Sequence, residues 1–448
     1  MEFQLLTAVL IGIALLLVLI LRIKIQAFLA LLIVCILVGV LAGMPAKEIL
    51  DTIKEGMGST LGFVATVVGL GALFGGILEH SGGAQRLASF LLAKTGEKRA
   101  PSALVLTGFI IAIPVFFDVA FIILVPITYA LSKRTGKSLM LYAIPLLAGL
   151  AVTHAFIPPT PGPIAVAEIL GADLGWVIVM GFLVGLPTAI IAGPVFARFL
   201  SRRMYIEPVV FDDKEKFDEA LAPSPGMIIA IILIPIILIV INTFAGSPFF
   251  SEIEIPPGFL YILELVGHPF SALIIANLIA WYFLGIKRGM GKDHLLKISS
   301  KSLEAAGIII LLTGAGGAFK QILINTGAGE MIAAGLNSSF FNPLIFAFLV
   351  AAIVRILQGS STVAMITAAG ITAPVLAEAS FSVVQTSIIV IAIASGASIL
   401  SHVNDSGFWL VGKYLGLTEK QTFRSWSLMT TLIALSGLCL CLLLWYLV

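Results

Sequence analysis

Charge is what this sequence has least of. Of its 448 residues, 26 are Lys or Arg and 24 are Asp or Glu, against 59% hydrophobic residues and a mean hydropathy of +1.12. A soluble domain cannot keep so little charge on its surface, so the bilayer is the solvent. Cysteine is nearly absent too: Cys35, Cys439 and Cys441 sit in apolar runs without metal-ligand spacing, which predicts packing and no metal centre. No H-E-x-x-H, P-loop or Ser-His-Asp grouping occurs, so soluble-type catalysis has no support and neither an enzyme nor a cofactor is expected. A net charge of +2 gives no reason to expect nucleic acid as a partner.

What is present is a series of apolar runs of around 20 residues, each able to cross roughly 30 Å of hydrocarbon as a helix. The first, residues 5–21, follows Glu2 without a basic n-region or an A-x-A-like site, and reads as a retained span instead of a signal peptide. Cytoplasmic loops are enriched in Lys and Arg. Placing Arg22 and Lys24 inside and alternating sides collects 22 of the 26 basic residues in the inside loops. Only Lys47 and Lys54 fall outside, and Lys320 and Arg355 fall within apolar segments. This requires two re-entrant hairpins, at 103–131 and 345–377, and places both termini outside. The polar stretch 201–223 is then a cytoplasmic linker between residues 1–200 and 224–448.

Those two halves resemble each other. "GLGALFGGILEHSGG" (69–83) and "GAGGAFKQILINTGA" (314–328) match at an offset of 245, as does Leu170-Gly171 with Leu415-Gly416, while Pro126 with Pro374 and His154 with His402 match at 248. The charge pattern inverts between the halves, because basic 133–137 corresponds to uncharged 381–385. Inverted repeats with interrupted helices are a signature of secondary transporters. The expectation is an all-α polytopic membrane protein of inverted-repeat elevator type. Its scaffold spans lie near 5–43 and 225–285. Broken helices over 138–170 and 383–416 accompany the two hairpins.

Four polar groups interrupt the apolar runs. "IPVFFDVAF" places Asp118 among phenylalanines at the first hairpin turn, where an acid in hydrocarbon is expensive and functional by default; a loop acid reaching water is the bland alternative. "RILQGSSTVAM" places Gln358, Gly359, Ser360, Ser361 and Thr362 at the second turn, where a helix N-terminus offers amide donors to a carboxylate. The hydroxyls there equally suit back-bonding within a continuous helix. "THAFIPPTPGP" holds four prolines that cannot all lie inside a helix, with Thr153, His154, Thr160 and Gly162 bordering the break. "SHVNDSGFW" supplies His402, Asn404, Asp405 and Ser406 at the equivalent interruption. Arg355 faces a substrate carboxylate or pairs with Asp405; the sequence favours neither. Lys320 reads as a snorkelling or helix-pairing residue, and the glycine strings at 69–76 and 314–317 as close helix packing. All four polar groups are expected to converge on one cavity, where protons ride on Asp118, Asp405, His154 or His402.

In these motifs the chain resembles the gluconate permease family of bacterial proton-linked sugar-acid symporters. The most specific pieces are "LGALFGGILEHSGGAQR", "FFDVAFIILVPI", "THAFIPPTPGP", "GHPFSALI", "RILQGSSTVAMITAAG" and "SHVNDSGFWLVGKY". The resemblance runs along essentially the whole chain. It implies a homodimer in the bacterial inner membrane, with a static scaffold and a mobile domain holding both hairpins. It also implies a small sugar-acid substrate with protons as the coupled ion. Asp118 stands where other members carry a glutamate, and Thr160 where several carry a histidine. Sodium coupling is the near rival, because unwound carbonyls also bind Na⁺. An anion channel, or a hydrolase built on Ser360 and His402, are the readings from other classes.

Overall fold

A computed structural model of the chain describes residues 2–208, 223–245, 256–327, 342–377 and 381–448, and the regular elements among these residues are all helical. Most of the linker expected at 201–223, namely residues 209–222, lies outside the described residues. The first half runs through α1 (Glu2–Leu21), α2 (Ala27–Leu41), α3 (Ala46–His80), α4 (Gly83–Thr95), α5 (Ala100–Ile111), α6 (Phe117–Thr135), α7 (Met140–Phe156), α8 (Pro161–Leu170) and α9 (Leu174–Arg203). The second half runs through α10 (Pro225–Ala245), α11 (Pro257–Gly267), α12 (Pro269–Arg288), α13 (Lys292–Asn325), α14 (Pro343–Gln358), α15 (Ser361–Ala377), α16 (Val383–Gly396), α17 (Ser406–Leu415) and α18 (Glu419–Trp445). Seven spans among the described residues, with α7 and α8 together counting as one, are long and apolar enough to cross a membrane.

Two helices are longer than the sequence reading allowed. α3 has 35 residues and α13 has 34, which at about 1.5 Å per residue exceeds a roughly 30 Å hydrocarbon core. Where the charge pattern suggested loops over 44–56 and 287–301, residues 46–55 and 292–301 form the first turns of α3 and α13. Neither stretch contains a helix breaker before the apolar run begins, and Glu48 and Asp293 suit the positive end of a helix. Conversely, the span expected at 259–285 is two helices. His268 adopts φ −59°, ψ 137° before Pro269, the extended backbone a following proline favours, and its ring caps the Phe270 amide at 3.3 Å.

α3 and α13 pack against each other over their length, and each carries an outer helix of the opposite half: α2 rests on α13 and α12 on α3. This pair needs small residues at the crossing. A Cβ on Gly56 would lie 2.7 Å from Gly317 O, and one on Gly317 would lie 2.6 Å from Gly56 O. Other large apolar side chains point outward, among them Val40, Ile237, Tyr261 and Leu278, each roughly half exposed or more, as expected where lipid replaces water.

Connections sort to two ends of the bundle. At one, Arg134 pairs with Glu97 at 2.8 Å, Ser138 Oγ donates to Met204 O at 2.9 Å, and the His80 and His294 rings lie 6.4 Å apart. At the other, Asn325 Nδ2 donates to Thr52 Oγ1 at 3.1 Å and Thr243 Oγ1 to Asp173 Oδ1 at 3.0 Å. Lys98, Lys137, Arg198 and Arg202 gather at the first end, whereas Lys47 and Lys54 flank Thr52 and Lys320 lies near Glu168 toward the second. The start of α5 and the end of α6 lie together at the first end, where Glu97 and Arg134 pair. Helix-capping geometry recurs along the two halves: Gly82 and Gly327, then Gly171 and Gly416, all have left-handed φ of 64–74° at an offset of 245.

Candidate functional site

Two chain turns and two helix breaks meet at the middle of the bundle. The turn between α5 and α6 spans residues 112–116, and that between α14 and α15 spans 359–360. α7 stops at Phe156 and α8 resumes at Pro161, whereas α16 stops at Gly396 and α17 resumes at Ser406. Both turns and the second break border one cavity of about 630 Å³. Of the fifteen residues singled out from the sequence, eleven line it: Asp118, His154, Arg355, Gln358, Gly359, Ser360, Ser361, Thr362, Asn404, Asp405 and Ser406.

The other four do not. Thr160 is buried and its hydroxyl donates to Ile157 O at 2.6 Å, closing the turn that the prolines force. Gly162 serves packing: a Cβ there would meet Met365 Sδ at 2.9 Å, where α8 rests on α15. Thr153 is fully buried one residue before His154, on a different face of α7. His402 Nε2 bonds Ile356 O at 2.7 Å, which spends the ring on the end of α14. Thus Thr153, Thr160, Gly162 and His402 shape the walls from behind. Their types suggested a binding role that burial and local bonding deny them at this cavity.

The second turn is held rigidly. α14 ends with Gly359 at φ 90°, a left-handed conformation favourable only to glycine, and a Cβ there would strike Asn404 O at 2.4 Å. The last carbonyls of α14 lack intrahelical donors. His402 and Asn404 occupy them, Asn404 Nδ2 lying 3.1 Å from Ile356 O and 3.2 Å from Leu357 O. Beyond the turn, Ser360 Oγ accepts from Val363 N at 3.3 Å and so caps α15. The amides of Ser361 and Thr362, in the first turn of that helix, have no intrahelical acceptor. Their hydroxyls join them on the cavity wall.

Arg355 lines the same cavity, with 5% of its side chain exposed. Its Nη2 contacts Asp405 Oδ2 at 2.5 Å, while its Nε and Nη1 have no hydrogen-bond partner. The pairing of Arg355 with Asp405 is thus present, while the rest of the guanidinium has no hydrogen-bond partner. Asp405 accepts three hydrogen bonds, one of them from Arg355. Its Oδ1 caps α17 through Gly407 N at 3.1 Å, and its Oδ2 also receives the Ser401 hydroxyl. Ser401 in turn receives Trp426 Nε1 at 2.6 Å, and Ser427 donates to its carbonyl. Just before this network, Leu400 has φ 42°, an uncommon backbone for a branched side chain, held by the surrounding bonds.

Two other groups of the lining are unpartnered. Asp118 sits in the first turn of α6, is exposed to the cavity and makes no hydrogen bond or ion pair among the described residues. It lies within electrostatic reach of Asp405. His154 Nδ1 is buried without a partner, and its ring lies 6.1 Å from that of Phe116. Phe117 stacks near Trp426, ring centres 5.3 Å apart, joining the first turn to the second-half network. Trp426, Thr430 and Phe116 also line the cavity, as does Ile309 of α13; the sequence reading missed these four. The signal open to it was the polar run Ser425, Ser427, Thr430 inside an otherwise apolar helix. Lys320 is elsewhere, in electrostatic contact with Glu168, as its helix-pairing reading expected.

The glycine string of α3 does more than pack helices. A Cβ on Gly75 would lie 2.0 Å from Pro114 O, so the first turn rests on bare backbone there, and Gly71 meets Pro159 O at 3.1 Å in the same way.

Comparison with known proteins decides the family. The GntP family permease profile matches residues 4–448. This chain belongs to the GntP permease family. Among its GntP relatives, the low-affinity gluconate transporter of Escherichia coli K12 is 40% identical over 430 residues, covering 95% of each chain. The gluconate permease of Bacillus subtilis is 38% identical over 436 residues, 95% of this chain and 96% of that one. The L-idonate transporter of the Gnt-II system in Escherichia coli K12 is 38% identical over 429 residues, again 95% and 96%. Among solved structures, Neisseria gonorrhoeae MtrF aligns with a TM-score of 0.66 at 14% identity, over 92% of this chain and 93% of that one. The Alcanivorax borkumensis YdaH transporter aligns at 0.63 and 15% identity over 89% of each. Those two likenesses show the fold alone. With its apolar helices and bacterial permease relatives, this GntP protein is a multi-pass protein of the inner membrane and no enzyme.

Proposed function

We propose that this permease carries a small hydroxylated monocarboxylate, a sugar acid of the gluconate and idonate type, across the inner membrane together with protons. The observation that carries the reading is the donor set in the lining of the cavity. Arg355, whose Nε and Nη1 are buried without a hydrogen-bond partner, lines the cavity together with Ser361 and Thr362, whose first-turn amides have no intrahelical acceptor, and this set suits one carboxylate followed by hydroxyl groups. A buried guanidinium edge left unpaired is costly, and an anionic ligand relieves that cost. The names of the relatives, gluconate and L-idonate transporters, support the same substrate class. A cavity of about 630 Å³ falls within the roughly 300–1,000 Å³ usual for small-ligand sites.

The coupled proton is carried by Asp118 or His154, the ionisable groups of the lining without bonds of their own among the described residues. Asp405 and His402, the other two candidates, are committed to Arg355 and to the end of α14. Transport proceeds by an elevator movement of the two turns and two breaks as one unit. In this reading the halves are inverted repeats, and α1, α2 and α10–α12 form the anchored scaffold and the contact of a homodimer. Their outward apolar side chains suit either lipid or a second copy.

The test is uptake into proteoliposomes with labelled gluconate and idonate under separate pH and Na⁺ gradients. Counterflow of either acid and its accumulation driven by a proton gradient are expected. Accumulation driven only by Na⁺ would replace the proton, and absence of counterflow with any sugar acid would remove the transport reading.

A further inference from the structure

A second cavity, of about 530 Å³, lies away from the first at the basic end of the bundle. Its wall is built from three places: the turn before α5, the α6–α7 connection, and the last turns of α9 with the strand-like residues that follow. The cavity receives Lys98, Lys137, Arg198 and Arg202 against a single acid, Glu97, so its lining carries 4 − 1 = +3 charges. Glu97 is already engaged by Arg134 at 2.8 Å. The four cations of the lining form no ion pair among the described residues. Arg198 and Arg202 are four apart on α9 and so share one face. Arg203, by contrast, turns away and stacks on Phe199, its guanidinium carbon 4.1 Å from the ring centre.

The floor beneath these cations is fixed. Ser138 Oγ donates to Met204 O at 2.9 Å and accepts Ile206 N at 3.1 Å, and Leu139 N donates to Ile206 O at 2.9 Å. Tyr142 is buried with its hydroxyl 2.9 Å from Thr135 Oγ1. Four like charges held about one concave surface repel one another unless an anion sits between them. Retention of positive loops inside the cell needs only charge in the loops, whereas this arrangement adds a preformed hollow with Ser201 and Tyr205 at its rim.

We infer that this cavity binds a phosphate-bearing anion from the cytoplasmic side. Arg198 and Arg202 offer paired N–H donors to phosphate oxygens, and Lys98 and Lys137 supply point charge. Basic pockets on the cytoplasmic side of membrane proteins take anionic headgroups by this chemistry. The same chemistry takes a soluble phosphate. Binding ties the base of the α5–α6 pair to the end of α9.

The test uses the purified full chain, first in neutral detergent with inorganic phosphate against chloride at equal ionic strength. The second arm uses nanodiscs of phosphatidylcholine with or without phosphatidylglycerol, with thermal unfolding and native mass spectrometry as readouts. Stabilisation by inorganic phosphate supports a soluble anion, and retention of phosphatidylglycerol without a response to phosphate supports a lipid headgroup. In either case the Arg198→Gln/Arg202→Gln variant should weaken apparent binding by about tenfold or more, since each arginine loses charge-assisted bonds. Lys413→Gln, a basic residue outside the cavity, should leave it unchanged. All four cationic side chains are exposed, so their replacement leaves folding intact. The inference is overturned if neither phosphate source is bound above its control. It is equally overturned if the double arginine variant binds as well as the natural chain.

Discussion

The break at 157–160 and the break at 397–405 occupy related places in the two halves, yet they are built in opposite ways. The first is four residues long and dry, closed by prolines and the Thr160 hydroxyl and packed against the glycines of α3 and α9. The second is nine residues long and polar, tied by Ser401, His402, Asn404 and Asp405 to α14 and α18. The turns differ in the complementary sense. The first ends in an acid with no partner among the described residues, and the second ends in donors backed by the bonded network around Asp405. Breaks and turns thus bring to one cavity lining both the unpartnered ionisable groups Asp118 and His154 and a bonded set of donors.

The sharpest way to break that comparison is Asp118→Asn. Under the proposed mechanism the variant folds and inserts but loses concentrative uptake altogether, because the amide takes up no proton. Gradient-driven accumulation near the natural level would take the acid out of the mechanism.

The bonded network around Asp405 is tested through stability. Asp405→Ala leaves Arg355 as a buried cation without its carboxylate, a loss expected to cost about 3–5 kcal/mol. The joint replacement Arg355→Met with Asp405→Leu should cost distinctly less, since no uncompensated charge remains. Thermal unfolding of the three proteins in one detergent makes the comparison, and equal losses would show that the ion pair is incidental to the fold.

A smaller effect separates the two uses of glycine in α3. Gly75→Ala forces the Cβ toward Pro114 O, and should destabilise by about 1–3 kcal/mol with weakened transport, because the first turn has to move. Gly58→Ala, in the same helix with nothing within 4 Å, should be neutral or stabilising by up to about 1 kcal/mol. Smallest is Ser361→Ala, which removes one hydroxyl from the donor set and should weaken apparent substrate affinity about fivefold. An unchanged affinity would show that the amides of α15 and Arg355 act without it.

Much of this was legible in the chain itself. Scarcity of charge demands a bilayer, the loop positions of Lys and Arg distinguish its two ends, and four prolines in "IPPTPGP" and its approach forbid a continuous helix. These are consequences of local chemistry, and local chemistry is written in residue order. Asp118 and "QGSST" were visible for the same reason, since polarity inside an apolar run is costly wherever the run goes. Sequence alone did not decide which polar groups face the cavity. Thr160 and His402 are as polar as Ser361 and His154, but a nearby carbonyl takes the hydroxyl of one and the ring of the other. Nor did it decide that Arg355 keeps one edge free while Trp426, more than seventy residues away, steadies the carboxylate that holds the other. Hydrogen-bond partners are settled by which segments meet at the centre of the bundle, and that meeting belongs to the tertiary structure.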